Sequence, residues 1–372
     1  MSIMASTVAP TFSAIVTTYQ RREFAIQALQ SILDQTRPAD EVILVIDGST
    51  DGTAAAVRHQ LPTVRVIEQP NLGRSIALNT AAHAANCSFL CFLDDDDLWH
   101  REKLEETERY LTGNPECRAL RNPVWFFATS HAGPTRAYGF LRDFVAADLA
   151  ECHAIVDSGY LSPNDTGFLD IMGNSYDLLL ERNRGSYSST VVSRDVYFRV
   201  GGFQPTQTAA DDWSFFLNVA RLAEWHTLPR RLGFQRLHSA QATVNAKNGI
   251  RILAAKVGVW RTGRPFPGSV QEDSVDERLA SYGECYREEI QQFLWESLRN
   301  RRLREVRMIR GLAASLLPRW RDRAFVVLPL PITWRYSRMM NRNNEGQAEA
   351  PTVSPIRYDH QSDTTEISVT IE

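Results

Sequence analysis

Four consecutive aspartates follow an apolar run in the segment FLCFLDDDDLW, at positions 89–99. Two carboxylates about 4 Å apart repel by roughly 1 kcal/mol even in water, and by more in a partly dry crevice. Positive groups must therefore offset this charge. Carboxylate oxygens are the ligands that Mg²⁺ and Mn²⁺ prefer, and these cations also bind substrate phosphates. The segment is a candidate cation site, and a solvated acidic loop or a helix cap is the alternative.

Other polar residues with chemical potential occur in short motifs elsewhere in the chain. VIDGSTDGT at 45–53 places Asp47 at the end of an apolar run, before glycines that allow a ligand to approach the backbone. DDW at 211–213 opens an amphipathic segment with two acids, which suit the positive N-terminus of a helix. The alternatives are an ordinary Asp-Gly turn and a simple helix cap.

Strand and helix patterns alternate through the first 112 residues. Apolar runs at 12–19, 41–47, 63–69 and 88–94, of which the first is rich in β-branched residues, predict buried strands, and the segments between them have helical spacing. This alternation predicts βαβ units and a parallel sheet with right-handed crossovers. Ligands bind at the carboxyl ends of such strands. The residues expected to converge there are Thr17, Thr18, Tyr19, Asp47 and the aspartates from Asp94 onward.

The rest of the chain is less regular. The segment 188–203 predicts a short strand, a helix and a glycine turn; 211–225 predicts a helix; and 228–243 predicts a strand that ends at His238. Residues 298–323 carry nine arginines and two acids, and an apolar run and a polar tail follow. We therefore expect a domain over 1–250 with halves 12–112 and 113–250, an Arg-rich helical extension over 251–340, and a disordered tail over 341–372.

Composition excludes several classes. The net charge of −3 argues against a polyanion binder such as a nucleic-acid-binding protein. Five cysteines without CxxC spacing predict a reduced, cytosolic chain. We expect neither a signal peptide nor a bilayer-spanning segment, because the N-terminus lacks a basic flank and no apolar run is long enough. The absence of GxGxxG after the first strand disfavours an NAD-dependent dehydrogenase.

Taken together, the segments at 14–36, 41–53, 69–85 and 89–99 resemble the nucleotide-sugar half of a family 2 glycosyltransferase. VGGFQPTQTAADDW at 200–213 and the later RLH resemble its acceptor half, so the resemblance covers roughly residues 12–243. It implies an α/β GT-A fold, with a Rossmann-like, mostly parallel sheet flanked by helices and, here, a helical C-terminal extension. It also implies a metal-dependent, inverting transfer of sugar from a nucleotide diphosphate sugar to a hydroxyl acceptor. A UDP-sugar is the favoured donor.

The resemblance assigns roles to individual residues. The DxD pattern maps onto Asp94, near ribose and metal, and Asp96, which binds Mn²⁺ or Mg²⁺ directly, while His238 faces the metal or diphosphate from the far side. Asp212 is the base that takes the acceptor proton, and Asp211 orients the site or caps the helix. The nucleotide sugar is expected to contact Thr17, Tyr19, Asp47, Ser49, Arg74, Asp94 and Asp95.

Some residues at the site have two interpretations. Arg74 is either a sugar or phosphate ligand or a surface residue at the start of a helix. Trp99 and Trp213 either stack on sugar faces or belong to the core. Asn79 is expected to make a structural contact under the strand ends.

Two other functions are alternatives to transfer. A degenerate relative would bind sugar nucleotide or glycan without transfer, and the presence of both acidic motifs argues against it. A sugar-nucleotide pyrophosphorylase would show a glycine-rich loop after the first strand, and TTYQRREF at 17–24 has no such glycines. The acceptor is expected to be a glycan or a lipid-linked sugar in surface polysaccharide or glycoconjugate synthesis. The Arg-rich stretch predicts peripheral contact with the inner face of an anionic membrane. A helical dimer interface and a solvated face explain the same residues.

Overall fold

The computed structural model describes residues 9–129, 159–164, 175–181, 183, 185–205, 210–236, 238, 294, 297–299, 301 and 303–316. The chain divides into two compact units, Met1–Val275 and Asp276–Glu372. The predicted disordered tail and most of the predicted Arg-rich extension lie outside the described residues. Within the described part of the chain, no helix is both long and apolar enough to cross a membrane.

The N-terminal part of the first unit has the predicted alternation. Its elements are β1 (Phe12–Thr18), α1 (Arg22–Leu33), β2 (Glu41–Asp47), α2 (Thr53–Gln60), β3 (Arg65–Gln69), α3 (Arg74–Ala84) and β4 (Phe89–Asp94). Strand β1 lies between β2 and β4 and is parallel to both, and β3 pairs with β2 in the same direction. The side chains of β1, β2 and β4 are almost all buried, which explains their near-continuous apolar sequences.

The following residues add short elements. They are β5 (Leu98–Trp99), α4 (Lys103–Gly113), β6 (Ala119–Arg121), β7 (Val124–Thr129), β8 (Gly159–Asn164), α5 (Ser175–Glu181), a 3₁₀ turn (Tyr187–Ser189), β9 (Val191–Ser193), α6 (Arg194–Arg199), α7 (Asp211–Ala220), β10 (Trp225–Thr227) and β11 (Gly233–Arg236). In the second unit, α8 spans Leu303–Leu316.

Two sheets position the site. The main sheet has the order β10-β6-β9-β4-β1-β2-β3, and its only antiparallel strand among the described residues is β9, which lies between β4 and β6. A smaller sheet has the order β5-β11-β7-β8. Strand β5 immediately follows the aspartates and pairs with β11. The end of β11 is thereby brought next to the end of β4.

Two element boundaries differ from the sequence predictions. The helix predicted over 211–225 ends at Ala220, and the strand predicted over 228–243 is observed over Gly233–Arg236. The helix stops early because Trp225 begins β10, which pairs with β6, and the Trp225 indole donates a hydrogen bond to the carbonyl of Phe216 at 3.0 Å. Tertiary pairing thus overrides a helical pattern that is locally consistent.

An aromatic cluster joins the two halves of the first unit. The Phe92 ring of β4 lies 5.1–6.4 Å from the rings of Tyr187, Tyr197, Phe203 and Phe215. Phe203 and Phe215 stack with centroids 4.3 Å apart. This cluster packs directly under the start of the acidic segment, and therefore fixes the 3₁₀ turn and α7 relative to β4.

Asn79 makes the structural contact that was expected of it. Its Oδ1 accepts hydrogen bonds from the Phe203 backbone N–H at 3.0 Å and from the Tyr197 hydroxyl at 2.6 Å, and its Nδ2 donates to the Phe203 carbonyl at 2.7 Å. Gly202 has a positive φ of 64°, and a Cβ there would lie 2.6 Å from Asn79 Oδ1. The glycine turn therefore needs its second glycine for space as well as for conformation.

Candidate active site

The four aspartates divide into a group of three and a single residue. Carboxylate oxygens of Asp94, Asp96 and Asp97 all lie within 4.8 Å of one another. Asp95 is bound elsewhere: its Oδ2 accepts a hydrogen bond from Thr18 Oγ1 at 2.7 Å, and its Oδ1 accepts one from Arg21 Nη1 at 3.1 Å. Three oxygen donors of this kind suit a hard divalent cation. Two of the three predicted metal ligands, Asp94 and Asp96, therefore lie together, and the structure adds Asp97.

Four cationic or potentially cationic side chains lie beside this cluster and offset its negative charge. Arg21 Nη1 lies 2.7 Å from Asp96 Oδ2, and His238 Nε2 lies 3.0 Å from the same oxygen. Arg74 Nη2 lies 2.9 Å from Asp94 Oδ1. The fourth, Arg236, donates from its backbone N–H to Asp97 Oδ1 at 2.9 Å and from Nε to the Asp96 carbonyl at 2.9 Å.

Two of these arginines were not predicted from the sequence. Arg21 directly precedes α1, where an arginine is ordinarily a surface residue, and Arg236 ends a short strand whose neighbours are distant in sequence. A usable signal existed for Arg236, which lies two residues before the predicted His238. For Arg21 the local sequence offers only its position after the end of β1.

The aspartates differ in their readiness to ionise. Burial raises the pKa of Asp94 to about 6, although Arg74 opposes the shift. Burial and the charge of Asp96 raise the pKa of Asp95 to about 7, and Asp97 is raised well above its ordinary value by burial and by Asp96. For Asp96, burial is outweighed by the hydrogen bond with His238 and the charge of Arg21, so its pKa is lowered. Asp96 is therefore the carboxylate best prepared to receive a cation.

A 3₁₀ turn holds two of the aspartates in place. Ser188 Oγ donates to Asp97 Oδ2 at 2.5 Å and accepts from the Asp94 backbone N–H at 3.1 Å. The turn is fixed from its other side, because Trp99 Nε1 donates to the Ser188 carbonyl at 2.9 Å and Lys103 Nζ donates to the Ser189 carbonyl at 3.4 Å. The buried Trp99 thus supports the site as a core residue.

The two acids of the DDW motif lie beside the same cluster. Asp211 is buried, its Oδ2 accepts from Ser75 Oγ at 3.4 Å, and its Oδ1 lies 3.8 Å from Arg74 Nη1. Asp212 is half-buried, and its Oδ2 accepts from Asn183 Nδ2 at 3.1 Å. Burial and the nearby Asp211 raise the pKa of Asp212.

Arg74 connects the two acidic motifs. Burial lowers its pKa, but the charges of Asp94 and Asp211 outweigh burial and raise it, so the guanidinium stays charged. Arg74 Cζ also lies 4.5 Å from the centroid of the Tyr187 ring. The sequence left Arg74 as either a sugar or phosphate ligand or a surface residue, and the structure places it between Asp94 and Asp211.

The predicted nucleotide-binding residues lie at the neighbouring strand ends. Thr17 is the register partner of both Val45 and Asp94, and the Tyr19 side chain is 50% exposed. Ser49 Oγ accepts a hydrogen bond from the Gln20 backbone N–H at 2.9 Å, which joins the loops after β1 and β2.

Asp47 is buried and already bound within the protein. Its Oδ1 accepts from Gln69 Nε2 at 2.7 Å and from the Leu72 N–H at 2.9 Å, and its Oδ2 accepts from the Gly73 N–H at 2.9 Å. The carboxylate thereby fixes the loop that leads into α3. Trp213 is buried as well, and its indole donates to the Leu179 carbonyl at 2.6 Å, as expected of a core residue.

Comparisons with known proteins bear on the family and the fold. Residues 13–145 match the family model for glycosyl transferase family 2. The putative teichuronic acid biosynthesis glycosyltransferase TuaG of Bacillus subtilis is 33% identical over 106 residues, which is 27% of this chain and 42% of that protein. The amylovoran biosynthesis glycosyltransferase AmsE of Erwinia amylovora is 32% identical over 111 residues, 28% of this chain and 42% of that protein. The alignments span less than half of these two relatives.

A solved structure extends the likeness to most of the chain. Residues 1–349 of S. aureus TarS, in complex with UDP, superpose with a TM-score of 0.54 at 15% identity, covering 91% of this chain and 92% of that one. This likeness concerns the fold, which is a mostly parallel mixed sheet with flanking helices. Residues 13–145 therefore resemble a family 2 glycosyltransferase domain, and the predicted GT-A fold is confirmed.

Proposed function

We propose that the protein is a metal-dependent, inverting glycosyltransferase that moves a sugar from a nucleotide diphosphate sugar to a hydroxyl acceptor. One observation carries the proposal: Arg74 lies within 2.9 Å of Asp94 and 3.8 Å of Asp211. A candidate cation site and a candidate base motif, far apart in sequence, thereby border one site. Transfer requires both functions at one place, since the leaving diphosphate and the attacking hydroxyl meet at the same carbon.

Asp94, Asp96 and Asp97 would hold Mn²⁺ or Mg²⁺ through their carboxylates. A bound divalent cation would stabilise the negative charge that develops as the diphosphate departs. His238, hydrogen-bonded to Asp96, orients the carboxylate most ready to bind. Ser188 keeps the carboxylate of Asp97 directed into the same cluster.

Asp212 would act as the base. A general base must be ionised at working pH and must hold the proton strongly enough to remove it from an attacking hydroxyl. The raised pKa of Asp212, caused by burial and by Asp211, moves it toward that condition. Asn183 holds one carboxylate oxygen and so orients the other. A single base without a partnering nucleophile corresponds to one displacement and inversion of the anomeric centre.

The donor would lie across the ends of β1, β2 and β4. Tyr19 is exposed there and offers a ring face to a base, Thr17 and Ser49 border the crevice, and Arg74 would bind the diphosphate or the sugar. Asp47 and Asp95 would act through the loops and side chains they hold. UDP in the TarS structure supports a UDP-sugar, and the relatives named for teichuronic acid and amylovoran biosynthesis support a surface polysaccharide as product.

The first test is calorimetric titration with UDP, GDP, CDP and dTDP, each with Mn²⁺ and with chelator. One nucleotide should bind, and only with the metal. Asp96→Ala should abolish this binding, whereas Asp195→Asn should bind as the wild type does, because Asp195 is exposed on α6. Metal-independent binding, or equal binding by Asp96→Ala, would contradict the proposed cation site.

Turnover distinguishes the enzyme from a degenerate sugar-nucleotide binder. Release of nucleoside diphosphate from the donor should be faster for the wild type than for Asp212→Asn, and both proteins should bind nucleotide equally. Release by the wild type at no more than the spontaneous rate would favour the binder, whereas equally fast release by the two proteins would show that Asp212 is not the base.

The second unit is proposed to contact an anionic membrane surface. On α8, Val306 and Ile309 are buried while Arg304 and Arg307 are exposed, so the helix presents positive charge on its outer side. The double variant Arg304→Gln/Arg307→Gln should co-sediment less with vesicles containing anionic lipid, and the wild type should not co-sediment with neutral vesicles. Equal sedimentation of wild type and variant would favour a protein interface or a solvated face.

A further inference from the structure

Arg21 joins two aspartates of different function. Its Nη1 lies 3.1 Å from Asp95 Oδ1 and 2.7 Å from Asp96 Oδ2. The Arg21 side chain is 29% exposed, whereas those of Asp95 and Asp96 are 9% and 14% exposed. The guanidinium therefore reaches the buried cluster and solvent at the same time, which places it where a ligand would enter.

Asp95 holds Arg21 and does not belong to the group of three carboxylates. One of its oxygens accepts from Thr18 Oγ1 at 2.7 Å, and the other accepts from Arg21. Thr18 ends β1 and is buried, so the carboxylate it orients is fixed by the sheet. The Asp95 carboxylate is thus held in a fixed position in which it binds a guanidinium.

Asp96 is the point of competition. Arg21 and His238 both contact its Oδ2, and Asp96 is also one of the three candidate cation ligands. A divalent cation on this carboxylate would repel the guanidinium at the same oxygen. Because Asp95 retains Arg21, the displaced guanidinium would stay at the rim of the cation site. There it would meet whatever anion the cation binds, and guanidinium groups bind phosphate oxygens strongly.

We propose that Arg21 is a diphosphate-binding residue positioned by Asp95. Before a cation binds, Arg21 neutralises Asp96; once the cation occupies Asp96, Arg21 contacts the diphosphate instead. This inference rests on the proposed function, because it requires a nucleotide diphosphate at the cation site. It assigns Asp95 the role of a positioning residue.

The test compares Arg21→Gln with Arg22→Gln, which removes the same charge from the adjacent position. Arg22 contacts Glu23 and the Asp51 carbonyl instead of the cluster. Calorimetry would use Mn²⁺ alone, then the tightest-binding of UDP, GDP, CDP and dTDP with Mn²⁺, then the nucleoside of the same base. For Arg21→Gln we expect tighter binding of Mn²⁺ alone by several-fold, weaker binding of the diphosphate by at least tenfold, and unchanged binding of the nucleoside. Arg22→Gln should match the wild type throughout.

Asp95→Asn tests the anchor. It should weaken diphosphate binding less than Arg21→Gln does, and the double variant should be no worse than Arg21→Gln alone, since Asp95 acts through Arg21. Additive losses would overturn the positioning role. Arg21→Lys, which keeps the charge, should lose less than Arg21→Gln, and an equal loss would contradict a charge-based contact.

The outcomes separate the two levels of the proposal. If the wild type binds no nucleotide diphosphate, the proposed function fails and the role of Arg21 fails with it. If the wild type binds but Arg21→Gln has the affinities of Arg22→Gln, only the role of Arg21 is wrong. A general loss of structure in Arg21→Gln would weaken Mn²⁺ binding as well, which is opposite to the expected increase.

Discussion

Replacing Lys103 with methionine should change how the stability of the protein depends on pH. The Lys103 side chain is fully buried, and its ammonium donates to Asn122 Oδ1 at 2.5 Å and to the Ser189 carbonyl at 3.4 Å. Among the described residues, no carboxylate pairs with it. Burial therefore lowers the pKa of Lys103 to about 8 from the ordinary 10.5. Methionine has a similar length and fits an apolar site, but it does not titrate.

The sign and size of the effect follow from proton linkage. Between pH 8 and 10.5 the lysine of the unfolded chain is still protonated, whereas the folded lysine has lost its proton. The unfolded state then binds more protons, so the free energy of unfolding rises with pH across this window. A difference of 2.5 units, from 10.5 to about 8, corresponds to about 3.5 kcal/mol in total at roughly 1.4 kcal/mol per unit, of which about 3 kcal/mol is reached by pH 10.5.

Urea unfolding followed by tryptophan fluorescence between pH 7 and 10.5 measures this term. The unfolding free energy of the wild type minus that of Lys103→Met should be constant near pH 7 and should rise by about 3 kcal/mol by pH 10.5. Subtracting the variant removes the titration of the tyrosines and cysteines, which both proteins share. Arg109→Gln, an exposed change on the same helix, should run parallel to the wild type. A difference that stays flat above pH 8 would refute the lowered pKa of Lys103.

Three further outcomes are expected. Asp212→Asn should lower the transfer rate by roughly 10²–10⁴-fold while nucleotide binding persists. The raised pKa of Asp212 should move the acid-side fall of the wild-type rate to a higher pH than an ordinary aspartate gives, and an acid limb at the pH of an ordinary aspartate would exclude it as the base. Because the pKa of Asp94 is about 6, Mn²⁺ measured by calorimetry should bind at least about tenfold more weakly at pH 5 than at pH 7.5. Equal affinities at the two pH values would argue against Asp94 as a ligand. In thermal unfolding, Gly202→Ala should destabilise the protein more than Gly201→Ala, since both glycines have positive φ but only Gly202 lacks room for a Cβ; equal losses would show that Asn79 can move aside.

The parallel half of the fold could be predicted because its strands are buried on both faces. Burial on both faces demands runs such as those of β1, β2 and β4, and these runs are visible without any knowledge of neighbours. Strand β9 is different: its three residues pair with β4 on one side and with β6 on the other. The sequence predicts a short strand in this segment, but its place between two distant strands depends on tertiary pairing that no local pattern shows.

The candidate site could be predicted in part, because the buried parallel strands that position it are visible in the sequence. Asp47, Asp94 and Asp96 follow strands whose direction the sequence indicates, so their convergence could be expected. The separation of Asp95 from its three neighbours could not, because it depends on Thr18 and Arg21 on an adjacent strand and loop. A local sequence pattern does not indicate which strands lie next to each other in a sheet.

The partners of Asp97 have a consequence for how the molecule is made. Asp97 accepts hydrogen bonds from Ser188, 91 residues later, and from Arg236, 139 residues later. At roughly 5–20 residues per second, a ribosome needs on the order of 10–30 s to add the second partner. Throughout that interval the nascent chain carries four aspartates that must stay hydrated, and a β4 edge that β9 has not yet covered. The candidate cation site is therefore among the last parts to form, and a chain stalled before residue 188 would expose that edge to other proteins.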